Sequence, residues 1–295
     1  MGIAAPVACL LALCGCSTSP QPSPSPSSPT QSSPAPSCPP PQVDAASLAC
    51  QIRVGEAVLR DPAANARVLA EAGADVDLAY RLLADQPAWD ATVLADLGSV
   101  PRAHVEHAVA AQRELTSLDG PPPDTLPAWR VEQPRPLGEL RALYDEAQRR
   151  YGVPWPVLAA VHLVETRMGR VIGLSVAGAQ GPMQFMPETW SRYGMGGDVW
   201  NPRDAILGAA NYLSANGGTQ EAGLNRALRR YNNDERYVRA VRHYADMIAQ
   251  DASALVGLHA WPVRYRTTVG DVLLPVGYSS ARPVSAREWL ASQPR

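Results

Sequence analysis

Lysine is absent from this chain, so all 26 of its lysine-plus-arginine positions are arginine. Without lysine neither the P-loop phosphate clamp nor Schiff-base chemistry is available. No His-Glu-x-x-His, no Gly-x-Ser-x-Gly and no EF-hand ladder of acids occurs. The helical zinc peptidases, the serine hydrolases with a nucleophile elbow and the EF-hand calcium proteins are therefore set aside. A dominant charge is missing as well: 28 acidic residues offset the 26 basic ones, for a formal net charge of -2 and a pI near 6.2. That balance carries no basic footprint for nucleic acid. No cofactor and no metal site is expected. The 295 residues suffice for one or two domains with a proper core.

Residues 1–15 are apolar, with a core around Val7 to Leu13 that is too short to cross a bilayer. They end in Leu13-Cys-Gly-Cys16, which resembles a bacterial lipobox. The resemblance implies a signal peptide cleaved before Cys16 and a lipid on that cysteine; an ordinary secretory signal with an incidental cysteine is the alternative. Several acyl chains on one residue anchor durably, because stable membrane association needs more than one. The expected location is the bacterial cell envelope, at the outer face of the cytoplasmic membrane. Residues 16–42 then read as a lipidated cysteine followed by a Pro/Ser-rich tether, too poor in apolar residues to fold. In an oxidising compartment Cys38 and Cys50 can pair as a disulfide or stay as two free thiols.

Residues 43–118 read as a small helical region, with Asp61-Pro62 and Ser99-Val-Pro101 as helix starts. His104 and His107 share one of its helical faces, as a solvated pair or as two ligands short of a metal site. Residues 119–136 form a Pro-rich linker that Trp129 can pin to a core. Helices are expected from Leu137 to Tyr151, Pro156 to Met168, Pro187 to Tyr193, Pro202 to Asn216, Leu224 to Tyr231 and Asp234 to Gln250, making residues 137–250 a helical bundle. In residues 251–295 the segment Val263 to Tyr278 suits a type II′ hairpin with Gly270 at the first turn position. Such a hairpin packs over one end of a groove or simply covers the bundle.

The bundle carries one conspicuous acid. At helical spacing Glu165 shares a face with Leu158, Val161, His162 and Met168, so the pattern that drives the helix into a core carries a carboxyl inward. Burial favours the neutral acid, which can protonate a leaving oxygen and then, as carboxylate, take a proton back. Gly178 and Gly181 in the loop after it permit tight turns or close backbone approach. Partner carboxyls are few: Asp204 reads as a helix-capping acid, Glu188 sits in a first helical turn, and Asp198 in a glycine-rich loop stays open as a second acid.

Three blocks in order, Val-Glu165-Thr-Arg-Met-Gly-Arg170, Ser175-x-Ala-Gly-Ala-x-Gly-x-Met-Gln-Phe-Met-Pro187 and Ala227-Leu-Arg-Arg-Tyr-Asn232, resemble the lytic transglycosylases of bacterial peptidoglycan. The likeness runs from about Leu137 to Gln250. It departs from the family at Met168, where an aromatic is usual in one group, and at Pro182, where leucine is usual in another. It implies a mainly α, lysozyme-like catalytic domain, here preceded by a small helical region and followed by a short β-hairpin. By the same resemblance Glu165 is general acid and then base, Gln184 contacts the substrate N-acetyl group, Ser175 lines the site, Tyr231 brings its hydroxyl to Glu165, and Asn232 supports it. Gly178 and Gly181 belong to the same loop. The implied reaction cleaves the MurNAc to GlcNAc β-1,4 bond and leaves a 1,6-anhydro end. Peptidoglycan strands are the implied partner, with the membrane reached through the N-terminal lipid. A muramidase using water and a non-catalytic wall-binding lipoprotein are the alternatives.

Several side chains admit two readings. His162 either tunes Glu165 or is a hydrogen-bonded core histidine. Trp190, Trp200, Tyr193 and Tyr231 are stacking faces for sugars or core packing. Arg236, Arg239 and Arg242 form a helical stripe that is either solvated or in contact with anionic polymer.

Overall fold

The computed structural model describes residue 38 and residues 44–293. Cys16, the expected signal and the tether apart from Cys38 lie outside them. Cys38 and Cys50 are joined by a disulfide, with Cα atoms 5.8 Å apart.

The fold is mainly helical. Helices α1 (Ala45–Leu59), α2 (Ala66–Ala84), α3 (Asp90–Ala95) and α4 (Ser99–Leu118) come first. Two short strands follow, β1 (Thr125–Leu126) and β2 (Arg130–Val131), then α5 (Leu137–Tyr151), α6 (Trp155–Thr166), β3 (Val171–Ile172), α7 (Pro187–Tyr193), α8 (Pro202–Ala215), α9 (Glu221–Tyr231), α10 (Glu235–Gln250) and α11 (Ala254–Ala260). The chain closes with β4 (Val263–Thr267), β5 (Gly270–Leu274), β6 (Val284–Ser285) and α12 (Ala286–Ser292). Among the described residues no helix is long and apolar enough to cross a membrane.

Local chemistry sets most boundaries. Asp234 caps α10 by accepting the Arg236 N–H, and Asn201 caps α8 by accepting from Arg203 and Asp204, with Pro202 at the first helical position. The start of α2 differs from expectation. Asp61 accepts the Ala63 N–H inside a turn, and Asn65 caps the helix instead. Helix α6 stops at Thr166, short of the expected Met168, because Arg167 and Met168 both adopt left-handed backbone, at φ 53° and 57°.

Antiparallel pairs join β1 to β6, β2 to β3 and β4 to β5. The β4–β5 hairpin turns two residues earlier than a type II′ placement of Gly270 requires. Thr268 and Val269 occupy the turn, Thr267 pairs with Gly270, and Gly270 takes φ 102° just after the turn.

One core runs from Leu48 of α1 through α4, α6, α8 and α10 to Trp261. Helix α10 lies along both α4 and α6, so the N-terminal helices and the acid-bearing helix share packing. Trp261 is fully buried, with Tyr80 of α2 and Tyr244 of α10 meeting it edge-on at 6.0 and 5.9 Å. A smaller core of Leu126, Val131, Val263, Val272, Leu274, Tyr278 and Ala286 seats the hairpin on the linker strands.

Two polar clusters cross these layers. His104 is buried, with Nδ1 2.8 Å from Glu56 Oε2 and Nε2 3.2 Å from Asp251 Oδ2, so it is not a solvated side chain. Tyr80 donates to the other Glu56 oxygen at 2.5 Å. Asp77 of α2, wholly inaccessible, faces Arg264 Nε at 2.9 Å, Arg81 Nε at 3.3 Å and Arg167 Nη2 at 3.8 Å. It ties the N-terminal helices to β4 and to the end of α6. The expected arginine stripe on α10 is also paired: Arg239 grips Glu114 of α4 at 2.7 and 2.8 Å, Arg242 meets Glu221, and Arg236 meets Asp234 and the Ser117 carbonyl.

Removing one member of a buried ion cluster strands the others without a counter-charge, a loss of about 3–5 kcal/mol. Asp77→Ala is expected to destabilise by that order in urea unfolding; a variant unfolding at the wild-type midpoint would show that the cluster carries no stability.

Candidate functional site

Glu165 sits on the last turn of α6, where Val164, Glu165, Thr166 and Arg167 open onto a cavity of about 610 Å3. Its other walls come from the end of α4 (Gln112, Leu115, Thr116), residues 119–123, Trp129, and the hairpin strand at Val263 to Arg266. The hairpin thus walls the cavity of the acid as well as covering the bundle. Burial pushes the Glu165 carboxyl up to about 7, against a hydrogen bond that pulls it down: Tyr237 Oη donates to Glu165 Oε1 at 2.6 Å. A carboxyl with that pKa holds a proton near neutrality and can still release it.

The donor is Tyr237 on α10, not Tyr231, whose hydroxyl the resemblance placed close to Glu165. The Tyr231 hydroxyl donates instead to the Met183 carbonyl at 2.7 Å. It nevertheless lies close enough for the carboxylate to add to the burial that drives its own phenol upward. Tyr237 escaped notice in the sequence because it falls on the apolar stripe of α10 with Val241, Tyr244 and Ile248, where a tyrosine reads as core.

The loop after α6 is held by its own main chain. Ser175 Oγ accepts the Ala179 N–H at 3.0 Å, and Gln180 and Phe185 exchange both backbone bonds at 2.9 and 2.8 Å. Gly178 takes φ 87° in open space, so turning is its purpose. Gly181 is there for close approach, since a Cβ would come to 2.0 Å from the Val199 carbonyl oxygen. Gln184 sits at φ 48° and donates its side-chain Nε2 to Gly181 O at 2.9 Å and Gly173 O at 3.4 Å. Asn232 ends α9, its N–H bonded to Leu228 O at 3.0 Å.

Thr166 supplies the link that joins acid and loop. Buried beside Glu165, its hydroxyl donates to the Pro182 carbonyl at 2.6 Å and accepts the Gly169 N–H at 3.1 Å. Next to it, Met168 is buried.

His162 is a neutral core histidine. Its Nδ1 lies 2.8 Å from the Tyr144 hydroxyl, and burial pushes its pKa down to about 3. Trp190, Tyr193 and Tyr231 join an aromatic chain with Phe185 and Tyr212, ring centroids 4.9 to 5.8 Å apart, and Trp200 alone of the four is exposed.

The candidate second acids are engaged elsewhere. Glu188 pairs with Arg192 at 2.8 Å, Asp204 accepts the Asp198 N–H at 3.0 Å in place of bonding back to its cap, and Asp198 accepts the Trp200 N–H at 2.9 Å. Asp119, unnoticed in the sequence, is the other carboxyl among the described residues lining the Glu165 cavity. Partial burial raises its pKa, with Arg266 and Arg81 pulling it back.

The site is an acid on the last turn of a helix, opening on a cavity within a mainly helical fold. Residues 173–227 match the family described as Transglycosylase SLT domain. Over 82 residues, 28% of the chain, it is 38% identical to the membrane-bound lytic murein transglycosylase F of Thiobacillus denitrificans (strain ATCC 25259 / T1), spanning 17% of that protein. The chain thus covers about a sixth of that relative's length. Of solved structures, the Escherichia coli lytic transglycosylase SLT35 with bulgecin A is 17% identical, with a TM-score of 0.36 over 69% of this chain and 93% of that one; the same enzyme with calcium gives 0.35. Residues 173–227 are thus similar to the transglycosylase SLT domain, and 82 residues of the chain are similar to a lytic murein transglycosylase. Ser175, Gly178, Gly181 and Gln184 fall inside the matched segment; Glu165 precedes it, and Tyr231 and Asn232 follow it.

Because the Tyr237 hydrogen bond favours the carboxylate, Tyr237→Phe is expected to raise the Glu165 pKa above about 7. The form that donates a proton would then persist to higher pH. A pH–rate profile whose alkaline limb does not move upward would rule out that role for the hydroxyl.

Proposed function

We propose that this chain is a peptidoglycan lytic transglycosylase that cuts the MurNAc to GlcNAc β-1,4 bond with Glu165 as its single acid and base. The observation that carries the reading is the Glu165 carboxyl, opening on the 610 Å3 cavity with its pKa near 7 and Tyr237 on one oxygen. The matched SLT segment supports it.

Protonated Glu165 donates to the glycosidic oxygen as the bond to the anomeric carbon breaks. The acetamido oxygen of the same sugar stabilises that carbon, which removes the need for a carboxylate nucleophile. Glu165, now a carboxylate, takes the proton of the sugar's own C6 hydroxyl as that oxygen attacks, closing a 1,6-anhydro ring and restoring the acid. A tethered hydroxyl has an effective molarity that reaches roughly 10⁵ M or more, so it outcompetes water in a sheltered site. Gln184, its Nε2 turned to two main-chain carbonyls, keeps Oε1 for the acetamido N–H. Ser175, Gly178 and Gly181 shape the loop beside it, Tyr231 braces it from α9 through the Met183 carbonyl, and Asn232 is the supporting polar group at the end of α9. In this reading Cys16 is lipidated and residues 17–42 tether the enzyme within the cell envelope, in reach of the wall.

One observation favours a hydrolytic alternative. Asp119 lines the same cavity, its pKa raised by burial, and supplies the second carboxyl that a general base for water requires. Mass spectrometry of digested peptidoglycan separates the two, since anhydro ends are lighter than hydrolysed ends by one water.

Glu165→Gln is expected to lower turnover of purified peptidoglycan by at least about 10²-fold, the lower range for general acid–base catalysis. Its stability should move the opposite way. A carboxyl whose folded pKa is raised from 4.5 to about 7 binds its proton more tightly when folded, so the stability it contributes is present at low pH and lost as pH rises through 7. Glu165→Gln should therefore melt above the wild type at pH 8. Near-wild-type turnover by the variant would reject the assignment.

A further inference from the structure

Three buried side-chain nitrogens among the described residues have no hydrogen-bond partner: His104 Nε2, His162 Nε2 and Gln112 Nε2. His104 Nε2 has the Asp251 carboxylate 3.2 Å away, and the His162 ring is held in the core with its other nitrogen on Tyr144. Gln112 has no such explanation. It is 6% exposed, and of the three it alone lines the Glu165 cavity.

Its place on α4 makes the amide unusual. Gln112 follows Ala108 and Val109 at helical spacing, both buried, so the stripe faces a core and leucine or methionine would fill the position at no polar cost. A buried donor left unpaired is destabilising, and native structures seldom keep one without a reason. Leu115 and Thr116 continue the stripe at the third and fourth positions after Gln112, Asp119 lies just past the helix end, and all of them line the cavity. One face of α4 thus passes from core to cavity wall, with Gln112 at the change.

A carboxamide carries a donor and an acceptor side by side, and the group that answers both at once is another amide. We infer that Gln112 is a specificity-determining residue of the Glu165 cavity, hydrogen-bonded to an amide of the polymer being cut, so that the N-terminal helices supply part of the substrate-contacting surface. The inference rests on the glycan-cleaving reading above. Peptidoglycan offers amides in two places, the N-acetyl groups of the glycan and the peptides attached to it. Gln112 stands apart from residues 173–227, so the contact comes from outside the matched segment.

Gln112→Met in the full chain keeps the length of the side chain and removes the amide. On soluble, uncrosslinked peptidoglycan strands it is expected to raise KM about tenfold, the loss of one hydrogen bond that leaves the substrate amide unanswered, with kcat changed less than about twofold. The variant should also melt above the wild type, since the unpaired donor is gone. Strands stripped of their peptides by an amidase identify the source. A KM rise on both substrates places the amide on the glycan, and a rise on peptide-bearing strands alone places it in the peptide. An unchanged KM on peptide-bearing strands, or a variant that melts below the wild type, makes Gln112 a packing residue and overturns the inference. Wild-type protein that leaves both kinds of strand uncut refutes the glycan-cleaving reading, and this inference with it.

Discussion

Asp77 is the constraint on which the site's surroundings depend. A carboxylate with no solvent access is tolerated only when cations surround it, and here three arginines from three parts of the chain do so: Arg81 within α2, Arg167 at the end of α6 and Arg264 on the hairpin. Each arginine also lines the Glu165 cavity. Further pairs brace the same wall, Arg81 with Asp271 at 3.0 Å and Arg266 with Asp85 at 3.3 Å. The N-terminal helices therefore do more than precede the acid-bearing helix, because they hold the hairpin across the cavity that the acid faces.

Within that frame the acid is set by opposed effects. Burial favours the neutral carboxyl, and the Tyr237 hydroxyl favours the anion, leaving the balance near neutrality where proton transfer in both directions is available. The loop is coupled to the acid through Thr166 and Pro182, and to α9 through Tyr231 and Met183. Two hydroxyls on main-chain carbonyls thus hold the loop from both sides. Arg167 and Met168 at the end of α6 and Gln184 at the close of the 181–184 turn take left-handed backbone, a conformation costly for side-chain-bearing residues unless the surroundings enforce it.

Much of the architecture was legible because it rests on local rules. Helices α5 and α7 begin and end where periodicity, proline and glycine indicate, with Gly152 at φ 75° closing α5. The boundaries that moved did so for reasons without a clear local signature. Arg167 is no usual helix terminator, and Asn65 took over a cap that Asp61-Pro62 had advertised. Turn chemistry placed a hairpin near Gly270 but missed that glycine's position within it.

Sequence alone determined the helical class, the inward-facing Glu165 and the glycines of the loop that follows, because helical spacing and the left-handed region are properties of neighbouring residues. Tertiary structure alone decided which tyrosine bonds the acid, that Asp119 shares its cavity, and that Trp129 lines that cavity and a second one. The charges of Asp77, Glu56 and the α10 arginines found their partners only there as well. Apart from the local Asp77–Arg81, Glu56–Arg60 and Arg236–Asp234 pairs, those are contacts between residues tens to nearly two hundred positions apart, and neither spacing nor propensity carries information about which distant side chains the packing of a core will bring within a few ångströms.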